Sequence, residues 1–130
     1  MLPETLRWVG GTDGCLELID QRLLPGQLVY IKCADTQEVY DAIKNLAVRG
    51  APAIGVAAAY GAVIAARESQ DTLKSLTEGC QYLASARPTA VNLFWALDRM
   101  KRTGEQLAER KPSRDEFLAA LLAEARKIHE

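Results

Sequence analysis

A run of small and apolar side chains, Pro52 to Ala66, constrains the fold of this chain more than any other stretch. Ala57, Ala58, Ala59, Gly61, Ala62, Ala65 and Ala66 leave little bulk on any side. A helix apolar all round is usually buried, and small residues let neighbouring helices come close. Membrane insertion is the other reading. A span needs about 20 apolar residues, and this run is shorter, with Tyr60, Arg67 and Glu68 bounding it. The stretch therefore reads as the central core helix. Directly before it stands Arg49-Gly50-Ala51-Pro52. Pro52 suits the first position of a helix, where its missing N–H costs nothing, and Gly50 can take a φ closed to other residues. The expected geometry is an arginine on a tight turn feeding a helix N-terminus. Unpaired N–H groups and a partial positive charge attract anions to such an end.

The 130 residues suffice for one domain with a core. The formal net charge of −1 gives no global pull toward nucleic acid or an anionic membrane, so an anion must be bound by local geometry. Cys15, Cys33 and Cys80 are far apart and odd in number, so they form neither a metal-spaced pair nor a disulfide framework. Reduced cytosolic thiols are the simplest reading. Met1-Leu2-Pro3-Glu4 lacks the basic and apolar regions of a signal peptide.

Ahead of the central stretch, Leu6–Val9, Cys15–Asp20 and Leu28–Cys33 read as strands. The turn clusters 10–14 and 24–27 separate them, which predicts an antiparallel meander over residues 1–34. It is too small to stand alone and should pack on residues 35–130. Asp35 with Glu38 forms a capping-box pattern. Val39, Ala42, Ile43, Leu46 and Ala47 then share one helical face, with Gln37, Asp41, Lys44 and Asn45 toward water. That helix is expected to end at Val48-Arg49-Gly50.

Beyond the core helix, a third helix is predicted over 71–84, with Leu73, Leu76, Cys80 and Leu83 on one face. Gly79 argues against it. Pro88 is expected to open the next helix. Its broad apolar stripe is Val91, Leu93, Phe94, Trp95, Leu97 and Met100, and Arg99, Lys101 and Arg102 would lie near its end. Gly104 marks a stop, or else the helix kinks and continues to Arg110. Ser113 and Glu116 make a second capping box. Phe117, Leu118, Leu121, Leu122, Ala125 and Ile128 form the last apolar face. The helical pattern runs to His129-Glu130 without a stop signal, which suggests a fragment of a longer chain. The fold class expected is α+β and mostly helical: a small antiparallel β meander followed by a helical bundle.

Two arginines stand at proline-marked helix starts, Arg49 and Arg87. If both starts point the same way, two forked guanidinium groups and several N–H groups converge as a phosphate cradle. Pattern alone favours a plainer reading, in which both cap carbonyls or pair with surface carboxylates. The cysteines have no basic neighbour to activate them, and buried structural thiols are commoner. His129 reads as a solvated end residue and Asp98 as the i,i+4 partner of Arg102. Asn92 is balanced between ligand contact and capping. Trp8 and Trp95 read as core or domain-interface residues. No convincing acid–base pair is present.

The segments Arg49-Gly50-Ala51-Pro52-Ala53-Ile54-Gly55 and Arg87-Pro88-Thr89-Ala90-Val91-Asn92-Leu93 closely resemble two motifs of the 5-methylthioribose-1-phosphate isomerases. Leu6-Arg7-Trp8, Leu24-Pro25-Gly26 and Val39-Tyr40-Asp41-Ala42-Ile43 are similar to that family too, so the likeness spans essentially the whole chain in order. The Arg-Gly-Ala-Pro signature alone also resembles ribose-1,5-bisphosphate isomerases and regulatory subunits of a translation-initiation nucleotide-exchange factor. The resemblance implies conversion of 5-methylthio-D-ribose 1-phosphate to 5-methylthio-D-ribulose 1-phosphate in methionine salvage, in the cytoplasm and without a cofactor or metal. It implies substrate binding by Arg49, Gly50, Ala51 and Arg87. The family's catalytic cysteine and aspartate lie in a C-terminal Rossmann-like domain with no counterpart here, and none of the three cysteines matches the catalytic one. This chain would then be an N-terminal domain, inactive alone. Its partners would be a sugar phosphate, the C-terminal domain of the same protein and a second copy in a homodimer, with neither nucleic acid nor membrane involved. The alternative is a non-catalytic sugar-phosphate-binding or regulatory module.

Overall fold

A computed structural model describes residues 6–20, 22, 26, 27, 29–45 and 51–129. Strands β1 (Leu6–Val9), β2 (Cys15–Ile19) and β3 (Tyr30–Cys33) form an antiparallel sheet in the order β1-β2-β3. Leu6 lies opposite Leu18, Trp8 opposite Leu16, and on the other side Ile31 faces Leu18 and Cys33 faces Leu16. Side chains alternate across a strand, so these residues share one face, and they pack into the hydrophobic core. The opposite face carries Glu17 between Arg7 and Lys32, at 2.8 Å and 3.7 Å. That pairing accounts for a carboxylate left only 8% exposed.

Five helices follow: α1 (Thr36–Lys44), α2 (Ala51–Ala66), α3 (Thr72–Ala84), α4 (Val91–Ala108) and α5 (Arg114–His129). Thus the α+β architecture is as expected. Asp35 caps α1 by accepting the Glu38 N–H at 2.8 Å. Glu38 reaches back one residue further than a simple capping box, to the Ala34 N–H at 2.9 Å. Helix α1 ends at Lys44, with Asn45 as its cap, earlier than the predicted Val48-Arg49-Gly50. Leu46 and Ala47, assigned to its apolar face, lie outside the described residues, as does the 24–25 part of the predicted turn.

Helix α2 is the axis of the molecule, buried from Ile54 to Ala66. Its small residues are the reason the others approach so closely. A Cβ on Gly79 of α3 would lie 2.2 Å from the Ala65 Cβ, and one on Gly61 would meet Leu83 at 3.0 Å. Gly79 therefore marks a helix–helix contact rather than a helix break. These two contacts run in opposite order along the chain, so α3 is antiparallel to α2. Gly104 of α4 abuts Leu76 and Leu73 of α3, which makes α4 antiparallel to α3 and hence parallel to α2. Helix α5 returns antiparallel: Phe117 approaches Gly104, and the Arg99 Nε meets Glu124 at 2.6 Å.

Three predicted features of α4 are corrected. Pro88 sits in the preceding turn, and the helix starts at Val91 with Ala90 as its cap. Of the two courses expected at Gly104 the helix takes the second and continues, to Ala108, which leaves Arg99, Lys101 and Arg102 in its middle rather than near its end. The buried stripe is Leu93, Ala96, Leu97, Met100 and Gly104. Val91, Phe94 and Trp95 are instead 76%, 42% and 53% exposed, because a 3.6-residue period cannot turn all six predicted positions inward.

Arginines tie sheet to bundle. Arg67 donates to the carbonyls of Thr12 at 2.8 Å and Ala34 at 3.0 Å, and Arg126 to that of Gly10 at 3.3 Å. Arg114 donates to the carbonyls of Ser69 and Arg67 beyond the end of α2. A cation there complements the helix dipole.

Candidate functional site at the paired helix starts

The parallel course of α2 and α4 puts their N-terminal ends together. A Cβ on Gly55 would lie 3.2 Å from the carbonyl oxygen of Asn92 and 3.7 Å from the Ala96 Cβ. Gly55 is one turn into α2 and Asn92 is the second residue of α4. At about 1.5 Å of rise per residue, the two starts differ in height by only about one turn. Neither first turn carries an acidic residue, and α4 has no side-chain cap. Helix N-termini leave N–H groups without intrahelical partners; in α4 the Leu93 N–H bonds the Ala90 carbonyl at 3.1 Å, which leaves those of Val91 and Asn92 among the described residues.

Arg87 occupies the turn that leads into α4. Its backbone is fixed by the Ala90 N–H bonding its carbonyl at 3.0 Å, and the neighbouring Ala86 is buried against the core. The side chain is half-buried, and among the described residues no hydrogen bond or ion pair engages its guanidinium. Ala51 is the first residue of α2. Arg49 and Gly50 lie outside the described residues.

The remaining candidates fall out differently. Asp98 pairs with Arg102 at 2.6 Å along α4, as the spacing predicts. Burial pushes the thiols of Cys33 and Cys80 up to about 12, with Glu38 and Asp35 adding to the effect at Cys33. A thiol so raised is no nucleophile near neutral pH. His129 is exposed at the end of α5, as expected, and also engages Tyr60. Its Nδ1 lies 2.7 Å from the Tyr60 hydroxyl and its ring meets Tyr60 edge-on at 5.5 Å, while Trp8 stacks on Tyr60 at 5.3 Å. Trp8 thus packs against the core at the sheet–bundle junction, and of the two places expected for Trp95, core or domain interface, the core is excluded. Its exposed indole is covered on one side by the Arg99 guanidinium at 5.5 Å. Among the described residues, no group of three or more His, Cys, Asp or Glu is placed to hold a metal ion.

Residues 47–130 match the model of the initiation factor 2 subunit family. The chain belongs to that family. Family membership covers both helix starts and the turn between them. Among relatives, the chain is 46% identical over 134 residues to a methylthioribose-1-phosphate isomerase of Pseudomonas entomophila, covering 100% of this chain and 36% of the relative. It is 55% identical over 104 residues to the isomerase of that name from Pelotomaculum thermopropionicum, covering 76% of this chain and 28% of the relative. Two solved structures share the fold. The 5-methylthioribose 1-phosphate isomerase from Pyrococcus horikoshii superposes with a TM-score of 0.86 at 39% identity, over 98% of this chain and 36% of that one. The delta subunit of translation initiation factor eIF-2B from A. fulgidus superposes with a TM-score of 0.81 at 40% identity, over 95% and 36%. The chain thus spans about a third of the length of the relatives it matches.

Proposed function

We propose that this chain is the substrate-phosphate-holding part of a methylthioribose-1-phosphate isomerase acting in methionine salvage. The observation that carries the reading is the contact of Gly55 with Asn92, which sets side by side two helix starts whose first turns carry no acidic residue. The guanidinium of Arg87, without a partner among the described residues, supplies a forked cation at the same end. High identity to isomerases over the whole chain supports the choice of sugar phosphate.

In this reading Arg87 and Arg49 neutralise and orient the phosphate, and the N–H groups of Gly50 and Ala51 donate to it. Arg49 and Gly50 enter through their place in sequence, directly before the first residue of α2. The isomerisation moves hydrogen between C1 and C2 of the sugar and needs groups that the described residues lack. Those would lie in the part of the relatives that this chain does not span. Holding the substrate still is itself a large share of catalysis, since fixed geometry replaces a costly ordering step.

The test is kinetic and uses the complete protein. Arg87→Ala should raise KM for methylthioribose 1-phosphate by at least tenfold, as for a charge-assisted bond of about 1.5–3 kcal/mol. An unchanged KM and kcat removes Arg87 from the site. The likeness to the initiation-factor delta subunit favours a second reading, a module that binds without turnover. Turnover of methylthioribose 1-phosphate by the complete protein excludes it; binding without turnover selects it.

A further inference from the structure

The proposed substrate has two chemically unlike ends, a phosphate dianion and a thioether. The helix starts and Arg87 answer only the first. Next to them α4 exposes apolar surface that packing leaves unexplained: Val91 is 76% exposed and Trp95 53%. The two are four residues apart and so lie one above the other on one side of the helix, about 6 Å apart along its axis. Each directly precedes a residue that touches α2 at Gly55, Val91 before Asn92 and Trp95 before Ala96. Their strip therefore borders the junction where the helix starts meet.

Trp95 is also held rather than loose. The Arg99 guanidinium lies 5.5 Å from its ring centroid, and Arg99 is fixed in turn by Glu124 of α5 at 2.6 Å. A cation on one face of an indole orients it, and half of the ring remains open to solvent. An indole braced from behind and open in front is a surface organised for contact.

We infer that Trp95, with Val91, forms the surface that receives the methylthio group, and that Glu124 acts through Arg99 as a positioning residue for the indole. Sulfur of a thioether packs favourably on aromatic rings, and a flat apolar wall recognises the methyl group without needing a hydrogen bond. This inference rests on the isomerase reading above and gives it a specificity element. The phosphate end supplies affinity shared by every sugar 1-phosphate, while the Trp95 strip separates the methylthio sugar from its plain counterpart.

The complete protein is assayed with methylthioribose 1-phosphate and with ribose 1-phosphate, in the wild type and in Trp95→Ala and Glu124→Gln. The expected result is a wild-type preference for the methylthio sugar that falls about tenfold in Trp95→Ala, the scale at which an apolar pocket discriminates. Glu124→Gln should lower it in the same direction but less, and in both variants the loss should fall more heavily on methylthioribose 1-phosphate than on ribose 1-phosphate. A preference ratio unchanged in Trp95→Ala overturns the inference and leaves the isomerase reading intact. Absence of activity on either sugar in the wild type overturns both. Should Trp95→Ala fold poorly, Trp95→Gln keeps an extended side chain without the aromatic ring and should show the same fall in the ratio.

Discussion

Gly55 of α2 and Asn92 of α4 meet so closely that a single added carbon would lie 3.2 Å from the Asn92 carbonyl oxygen. This contact joins two stretches that the sequence separates by more than thirty residues, and it sets the spacing of the two helix starts. The neighbour is backbone, which yields less readily than a side chain. Gly55→Ala should therefore push the two starts apart by a few tenths of an ångström. The expected outcome is a several-fold weaker affinity for sugar phosphate with the native circular-dichroism spectrum kept, measured by calorimetric titration of the complete protein. Unchanged affinity would mean that the spacing of the two starts is not critical.

Gly79 and Gly104 allow a comparison within one fold. A Cβ at either would lie 2.2 Å from a neighbour, but the neighbour is the Ala65 Cβ in one case and the tip of the Leu76 side chain in the other. A leucine tip can rotate away, whereas an alanine Cβ moves only with its helix. Gly79→Ala should cost about 1–3 kcal/mol through overpacking, despite the better helix propensity of alanine. Gly104→Ala should cost less. Urea denaturation of both variants checks the order, and a more stable Gly79→Ala would contradict the packing.

Arg67 and Arg87 should separate structure from binding. Arg67 holds two backbone carbonyls, of Thr12 and Ala34, so Arg67→Ala should lower stability by about 1–3 kcal/mol. Among the described residues the Arg87 guanidinium holds nothing, so Arg87→Ala should leave stability within about 0.5 kcal/mol. Thermal melts of the two variants decide it. A large loss for Arg87→Ala would assign that residue a structural role.

The buried thiols predict both reactivity and alkaline behaviour. Cys33 and Cys80, pushed up to about 12, should resist alkylation at pH 8 until the protein unfolds, while the half-buried Cys15 reacts first. Folding holds the protonated thiols more tightly than the unfolded chain does. Their contribution is therefore complete below the ordinary thiol value of about 9 and is lost as pH rises from there toward about 12. Cys33→Ser and Cys80→Ser variants should flatten the alkaline limb of the stability curve, read by denaturation at several pH values.

Glu116 behaves in the opposite sense. The Ser113 backbone N–H and hydroxyl hold its carboxyl below the ordinary 4.5. Its stabilisation is present above the ordinary value and disappears as pH falls through the lowered folded value. Glu116→Gln should remove that part of the acid limb, and a titration of stability from pH 6 down to pH 2 that matches the wild type would refute it.

Local chemistry was readable from the chain wherever a residue acts on its near neighbours. The caps at Asp35 and Ser113, the strand alternation and the interior face of α5 each depend on spacing within a few positions. The all-apolar run of α2 likewise announced a buried helix before any partner was known. Expectations went astray where distant segments decide. Gly79 weighed against a helix that does form, and Gly104 left a stop or a continuation open, because what fills the space beside a glycine belongs to another helix. Trp95 could be core or domain interface, because an apolar residue carries no mark of which side of α4 its neighbours cover.

The sequence by itself determined the α+β order of elements, the central helix and the arginines worth testing, since periodicity, caps and side-chain chemistry are properties of short stretches. Tertiary structure alone decided that α2 and α4 run parallel with their starts in contact, that Arg87 has no partner among the described residues and that Trp95 stands open. Those facts depend on which surfaces meet, and close packing of small residues across long chain separations is what brings the surfaces together.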